Sequence, residues 1–158
     1  MRKPETVGPV EQAVGYVLKQ AAVALHNAMD AALRPLHLTV PQYACLELLG
    51  QRPGLSNAEL ARGAFVTRQS MNVVLRGLEE RGLVTRPETA PRGRELPTAI
   101  TETGRKHLHA ASATVRNVEK KMGAGLTPAQ QRELLNSLTA CARNLTESPE
   151  RGSQRTAS

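Results

Sequence analysis

The sequence predicts a mainly α chain with one small β-hairpin, an α+β arrangement in which long helices flank a compact middle. Three observations predict it. Apolar residues recur at three- and four-residue steps through most of the chain. Ser/Thr-x-x-Glu/Gln boxes at 39–42, 56–59 and 127–130 mark helix starts. A single stretch, 84–101, reads as two short extended runs around a Pro- and Arg-rich turn.

In chain order, residues 1–9 form a loose arm broken by Pro4, Gly8 and Pro9. A long helix is expected over 10–34, where Val10, Val14, Val17, Leu18, Ala21, Leu25, Met29, Ala32 and Leu33 make one stripe. It stops at Arg34-Pro35, because a residue before proline is pushed out of the helical region. Thr39 and Gln42 cap a second helix that buries Tyr43, Leu46 and Leu49 and ends at Gly50. Ser56-Asn57-Ala58-Glu59 starts a short third helix ended by Gly63.

Thr67 caps a fourth helix over 67–80. Met71, Val74, Leu75 and Leu78 fall on its core side, and Gln69, Asn72, Val73 and Arg76 on the opposite one. Gly82 is its stop signal. Residues 83–86 and 96–100 are the extended runs, with Pro91-Arg92-Gly93-Arg94 between them; Pro97 cannot donate to a ladder, so the second run starts late or lies at an edge. A fifth helix follows Thr101 despite Gly104 in its first turn, with Leu108, Ala111, Val115, Val118 and Met122 in register. The Thr127 box opens a sixth, carrying Leu134, Leu135, Leu138, Cys141, Ala142 and Leu145; 148–158 is polar and reads as a disordered tail.

The 158 residues amount to one ordinary domain. Tyr16, Tyr43 and Phe65 are its whole aromatic complement, and the abundance of Ala, Leu, Arg, Glu and Gln favours helix over a sandwich or barrel. A formal net charge of +7 suits a polyanionic partner. Part of the excess is local: residues 62–106 carry nine Lys or Arg against five Glu. No run approaches the roughly 18 apolar residues of a membrane helix, and no segment reads as a signal peptide. Cys45 and Cys141 make neither a metal spacing nor a disulfide framework, which points to a reducing cytoplasm. His107 and His109 point to different sides of a helix, and His26 and His37 stand apart, so no metal or other cofactor is expected. There is no nucleophile elbow, phosphate loop or carboxylate pair, and an enzyme is not expected.

The order helix, short helix, turn, helix, hairpin is that of a winged helix-turn-helix, a device for reading double-stranded DNA. The major groove admits a helix, and base edges are distinguishable there by hydrogen bonds. In the 67–80 helix, Gln69 and Asn72 suit adenine, Arg76 suits guanine, and Val73 shares their face. Thr67, Arg68 and Ser70, at the helix start, are candidates for phosphates or base edges. Ser56 and Asn57, on the supporting helix, are candidates for the DNA backbone. Arg86, Arg92 and Arg94 form the basic wing, suited to phosphates or a narrow minor groove.

From Leu38 to Gly104 the chain resembles the MarR family of bacterial regulators. The resemblance is carried by LTVPQYACLELL at 38–49, LSNAELARGAFVTRQSMNVVLRGLEERGLVTR at 55–86 and ITETG at 100–104. It implies a homodimer in which the first helix and the last two interlock, so that 10–34 and 102–147 form a dimerisation region and 36–101 the DNA-binding one. It further implies a palindromic operator, repression, and release by a small effector held among the first, second and fifth helices. Charge suggests an anionic or aromatic effector. One departure stands out: many family wings carry Asp two residues before a conserved Arg, and counted back from Arg94 that position is Arg92. Peroxide-sensing members place their reactive thiol in the first helix; Cys45 lies in the second, among leucines, and Cys45 and Cys141 alike read as small buried hydrophobes.

Overall fold

A computed structural model describes residues 6–86 and 97–147. Residues 148–158, most of the expected wing loop with Arg92 and Arg94, and residues 1–5 of the N-terminal arm lie outside these. The described chain is helical apart from a two-stranded antiparallel pair, and divides into two units, 1–120 and 121–158.

In the first unit, the single helix expected over 10–34 is divided. A 3-10 turn at Val10–Gln12 is followed by Ala13 in an extended conformation, and α1 then runs Val14–Leu33. No side chain caps either start, and the first turn of α1 includes Gly15, so nothing local favours continuity across Ala13. At the other end Pro35 is absorbed in a second 3-10 turn, Arg34–Leu36. Only the C-terminal part of α1 meets the core: Leu33 is buried and Met29 packs on the cluster, while Val14, Val17 and Leu18 are exposed.

Helices α2 (Val40–Gln51), α3 (Asn57–Gly63) and α4 (Arg68–Glu80) pack mutually around Leu46, Leu49, Leu60, Met71, Leu75 and Leu78. Both capping boxes that open α2 and α3 form as the sequence predicts, each with its side chain and backbone bonds present. Helix α4 ends in a Schellman motif. Gly82 takes φ +69, its N–H donates to the Glu79 carbonyl, and the Leu83 N–H donates to the Leu78 carbonyl. The buried Leu78 and Leu83 supply the apolar contact that usually accompanies this motif.

Helix α3 ends the same way, with Phe65 where glycine usually stands. Phe65 has φ +59; its N–H donates to the Arg62 carbonyl, and the Val66 N–H to the Ala61 carbonyl. This tight reversal directs the chain from α3 into α4.

The ladder is shorter than the extended runs suggest: β1 is Val84–Thr85 and β2 is Ala99–Ile100, with Val84 opposite Ile100 and Thr85 opposite Ala99. Pro97 has no N–H to extend it. At the other end the Leu83 carbonyl is taken by the Thr101 N–H, at 3.0 Å. Thr101 then fastens the seam, its hydroxyl donating to the Gly82 carbonyl at 2.6 Å and accepting from the Gly104 N–H at 3.0 Å.

Helix α5 (Glu102–Met122) starts here, and the seam explains Gly104. A Cβ at this position would overlap the Leu83 carbonyl oxygen and lie 2.8 Å from Ile100 Cγ1. Further along, Ala111 and Val115 are buried. In the second unit, α6 (Pro128–Thr146) opens on the expected Thr127 capping box. None of its residues is buried; Leu134, Leu135, Leu138 and Leu145 are exposed. Cys141, expected to be buried, is exposed with them.

Candidate nucleic-acid interface

Helix α4 is held from one side only. Met71, Leu75 and Leu78 are fully buried and Val74 half-buried, whereas Arg68, Gln69, Ser70, Asn72, Val73 and Arg76 are all exposed. Val73 is 65% exposed, a β-branched apolar side chain amid polar ones, suited to a thymine methyl rather than to water. The expected division between a core stripe and an outer face is thus present.

Several of the remaining expected contacts are already engaged within the protein. The Thr67 hydroxyl accepts from the Ser70 N–H and donates to the Ser70 hydroxyl, both at 3.0 Å. Ser56 is the N-cap of α3: its hydroxyl accepts from the Glu59 N–H at 3.2 Å, and Glu59 returns the bond to the Ser56 N–H. The Asn57 amide is turned into the protein, with Nδ2 donating to Asn72 Oδ1 and Oδ1 enclosed without a partner. A phosphate contact from that amide would have to displace the Asn72 bond.

Of the expected wing cations, Arg86 is within the described residues, half-buried, and paired with Glu79 Oε2 at 3.2 Å. Arg92 and Arg94 lie outside them. Arg81, just past the end of α4, ties that end down: it donates to the His37 carbonyl at 2.6 Å. His37 holds φ +55, so this bond joins the C-terminus of α4 to the turn before α2.

A polar cluster links α2 to α5. Ser112 donates to Glu47 Oε2 at 2.9 Å, and Gln51 donates to Glu47 Oε1 at 2.7 Å. Burial raises the phenol pKa of Tyr43 above its ordinary value; the Glu47 carboxylate adds to this, while a hydrogen bond with Ser112 partly offsets it. These residues belong to two of the three helices expected around an effector; the apolar spacing of both was legible in the sequence, the Glu47–Ser112 bond between them was not. Nearby, burial pushes the Cys45 thiol up to about 12, against a smaller opposing pull from Arg86. A thiol so protected from ionisation is a poor peroxide sensor. Among the described residues no cluster of three or more His, Cys, Asp or Glu could hold a metal, and no helix is long and apolar enough to cross a membrane.

Two core-braced helices joined by a tight turn, the second with a free polar face and an antiparallel pair at its end, define a winged helix-turn-helix protein. Comparison with known proteins narrows the class. The model of the MarR family matches residues 37–95. The HTH-type transcriptional repressor Rv2887 of Mycobacterium tuberculosis is 47% identical over 125 residues, spanning 79% of this chain and 90% of the repressor. The chain belongs to the MarR family. The crystal structure of Rv2887 with salicylic acid matches at a TM-score of 0.68 and 46% identity, covering 81% of this chain and 95% of that one. Its complex with DNA matches at 0.68 and 44% identity, covering 81% and 96%.

Proposed function

We propose that the chain is a cytoplasmic, homodimeric transcriptional repressor that binds a palindromic DNA operator and is released by a small aromatic or carboxylate effector. The observation that carries the reading is the two-sided α4: three fully buried residues hold it, and Gln69, Asn72, Val73 and Arg76 face outward. That face suits base edges, and Arg68 at the helix start suits a phosphate. Arg86, Arg92 and Arg94 would contribute the charge-neutralising part of affinity, with Arg86 leaving Glu79 to do so. Thr67 and Ser56 would act through the helix starts they cap, and Ser70 at the start of α4.

Dimerisation is supported by apolar residues left uncovered on α1 and α6, Val14, Leu18, Leu135 and Leu138 among them. Such surfaces on a soluble chain mark an interface, and a two-fold pair matches a palindrome. In this reading 10–34 and 102–147 serve dimerisation and 36–101 serves DNA. The effector class follows Rv2887, whose structures include salicylic acid, and the Tyr43–Glu47–Ser112 cluster lies between helices of the region concerned.

Selection from a randomised duplex pool tests the proposal. We expect recovery of one inverted repeat whose half-sites are about one helical turn apart, with affinity falling when salicylate is added. Equal retention of all sequences would make the chain a non-specific DNA coat and refute the repressor reading. Sequence-specific binding indifferent to a panel of aromatic acids would refute the effector part.

A further inference from the structure

We infer that Asn57 is a positioning residue for base reading: it holds the Asn72 amide in one orientation, so that one operator position is read by an asparagine pair. The inference rests on the reading of α4 as the groove helix. It assigns to Asn57 a role different from backbone contact.

Asn57 is the first residue of α3, directly after the Ser56 cap, so its backbone is set by a closed capping box. Its Nδ2 donates to Oδ1 of Asn72, fifteen residues on and exposed on the outer face of α4. An exposed asparagine otherwise turns its amide over freely, because the last side-chain torsion is broad and nearly two-fold. With the Asn57 N–H on its oxygen, turning Asn72 over would set N–H against N–H. Turning both amides over together would restore the bond only by putting the two N–H groups of Asn57 Nδ2 into the enclosed place its Oδ1 now occupies. The pair therefore holds Asn72 with Nδ2 as its available donor. In the major groove that donor finds acceptors on guanine, on thymine and at adenine N7, whereas cytosine offers only its amino donor.

A second feature argues that the contact does not serve stability. Asn57 Oδ1 is enclosed and has no partner among the described residues. An enclosed acceptor left unpaired opposes folding, so a residue retained for stability alone would be better replaced by an apolar one.

The experiment measures binding of the full-length protein to an operator set carrying each of the four base pairs at every position. The proteins are the wild type, Asn72→Ala, Asn57→Ala, the double variant and Asn57→Asp. The readout is the ratio between best and worst base at each position, in which any loss of total affinity or folded fraction cancels. Asn72→Ala should flatten one position in each half-site. Asn57→Ala should lower discrimination there by about five- to tenfold, and the double variant should be no flatter than Asn72→Ala. Asn57→Asp can only accept, so it should turn the Asn72 amide over and favour cytosine or adenine, whose amino groups donate.

Unchanged discrimination at that position in Asn57→Ala would overturn the inference, as would additive losses or an unaltered preference in Asn57→Asp. If Asn72→Ala flattens no position, the assignment of Asn72 to the reading face fails first, and the inference with it.

Discussion

Gly104→Ala is the substitution for which local propensity and tertiary packing give opposite signs. In a helix interior alanine is favoured over glycine by about 1 kcal/mol, so propensity predicts a gain. The structure predicts a loss. The new Cβ would overlap the Leu83 carbonyl and stand 2.8 Å from Ile100 Cγ1, where carbon atoms rest at about 3.5–4.0 Å. Both neighbours are held in place: the Leu83 carbonyl accepts from the Thr101 N–H, and Ile100 pairs with Val84. Relief requires moving the start of α5 away from the strand pair. Overpacking of this kind costs about 1–3 kcal/mol, and loosening a partly buried backbone bond adds about 1–3 kcal/mol. After subtracting the propensity gain, the expected net is a loss of about 1–5 kcal/mol. Urea unfolding at one fixed protein concentration would read it. Gly77→Ala, where the Cβ would meet only Gln42 Nε2 at an ordinary 3.4 Å, should instead gain up to about 1 kcal/mol. If Gly104→Ala proves as stable as the wild type, the account of the seam is wrong.

Two further outcomes are expected. In the fold, Cys45 keeps its proton up to about pH 12, whereas the ordinary thiol value is 9.0; the unfolded chain therefore binds fewer protons between these values. The stabilisation is complete below pH 9 and is lost as pH rises toward 12, at a limiting slope of about 1.4 kcal/mol per unit. Cys45→Ala should remove that slope, and urea midpoints of the two proteins that shift in parallel from pH 8 to 10 would contradict it. Phe65 holds the left-handed conformation and is 94% exposed. Phe65→Gly relieves about 1–2 kcal/mol of backbone strain and loses about 0.5–1 kcal/mol to the freer unfolded chain. Thermal melts should show a gain of up to about 1.5 kcal/mol; a lower melting temperature would mean that the ring makes a stabilising contact.

What the sequence by itself determined is the local part. The three capping boxes, the stop at Gly82, the buried stripe of α4 and its outer face are all relations between residues a few positions apart. Hydrogen bonds and side-chain neighbours within a helix span three or four residues, so residue type and spacing suffice to read them. The Phe65 turn escaped because its αL position carries no glycine to announce it.

Tertiary structure decided the rest. Gly104 answers a carbonyl twenty-one residues earlier, Asn57 meets Asn72 across a turn, Arg81 reaches back to His37, and Arg86 is engaged by Glu79 rather than free. The exposure of Cys141 belongs here too, since an apolar spacing states that a face seeks cover but not which segment supplies it. Each of these depends on which surfaces pack together, and close packing fixes such distances to within fractions of an ångström that no helical period encodes.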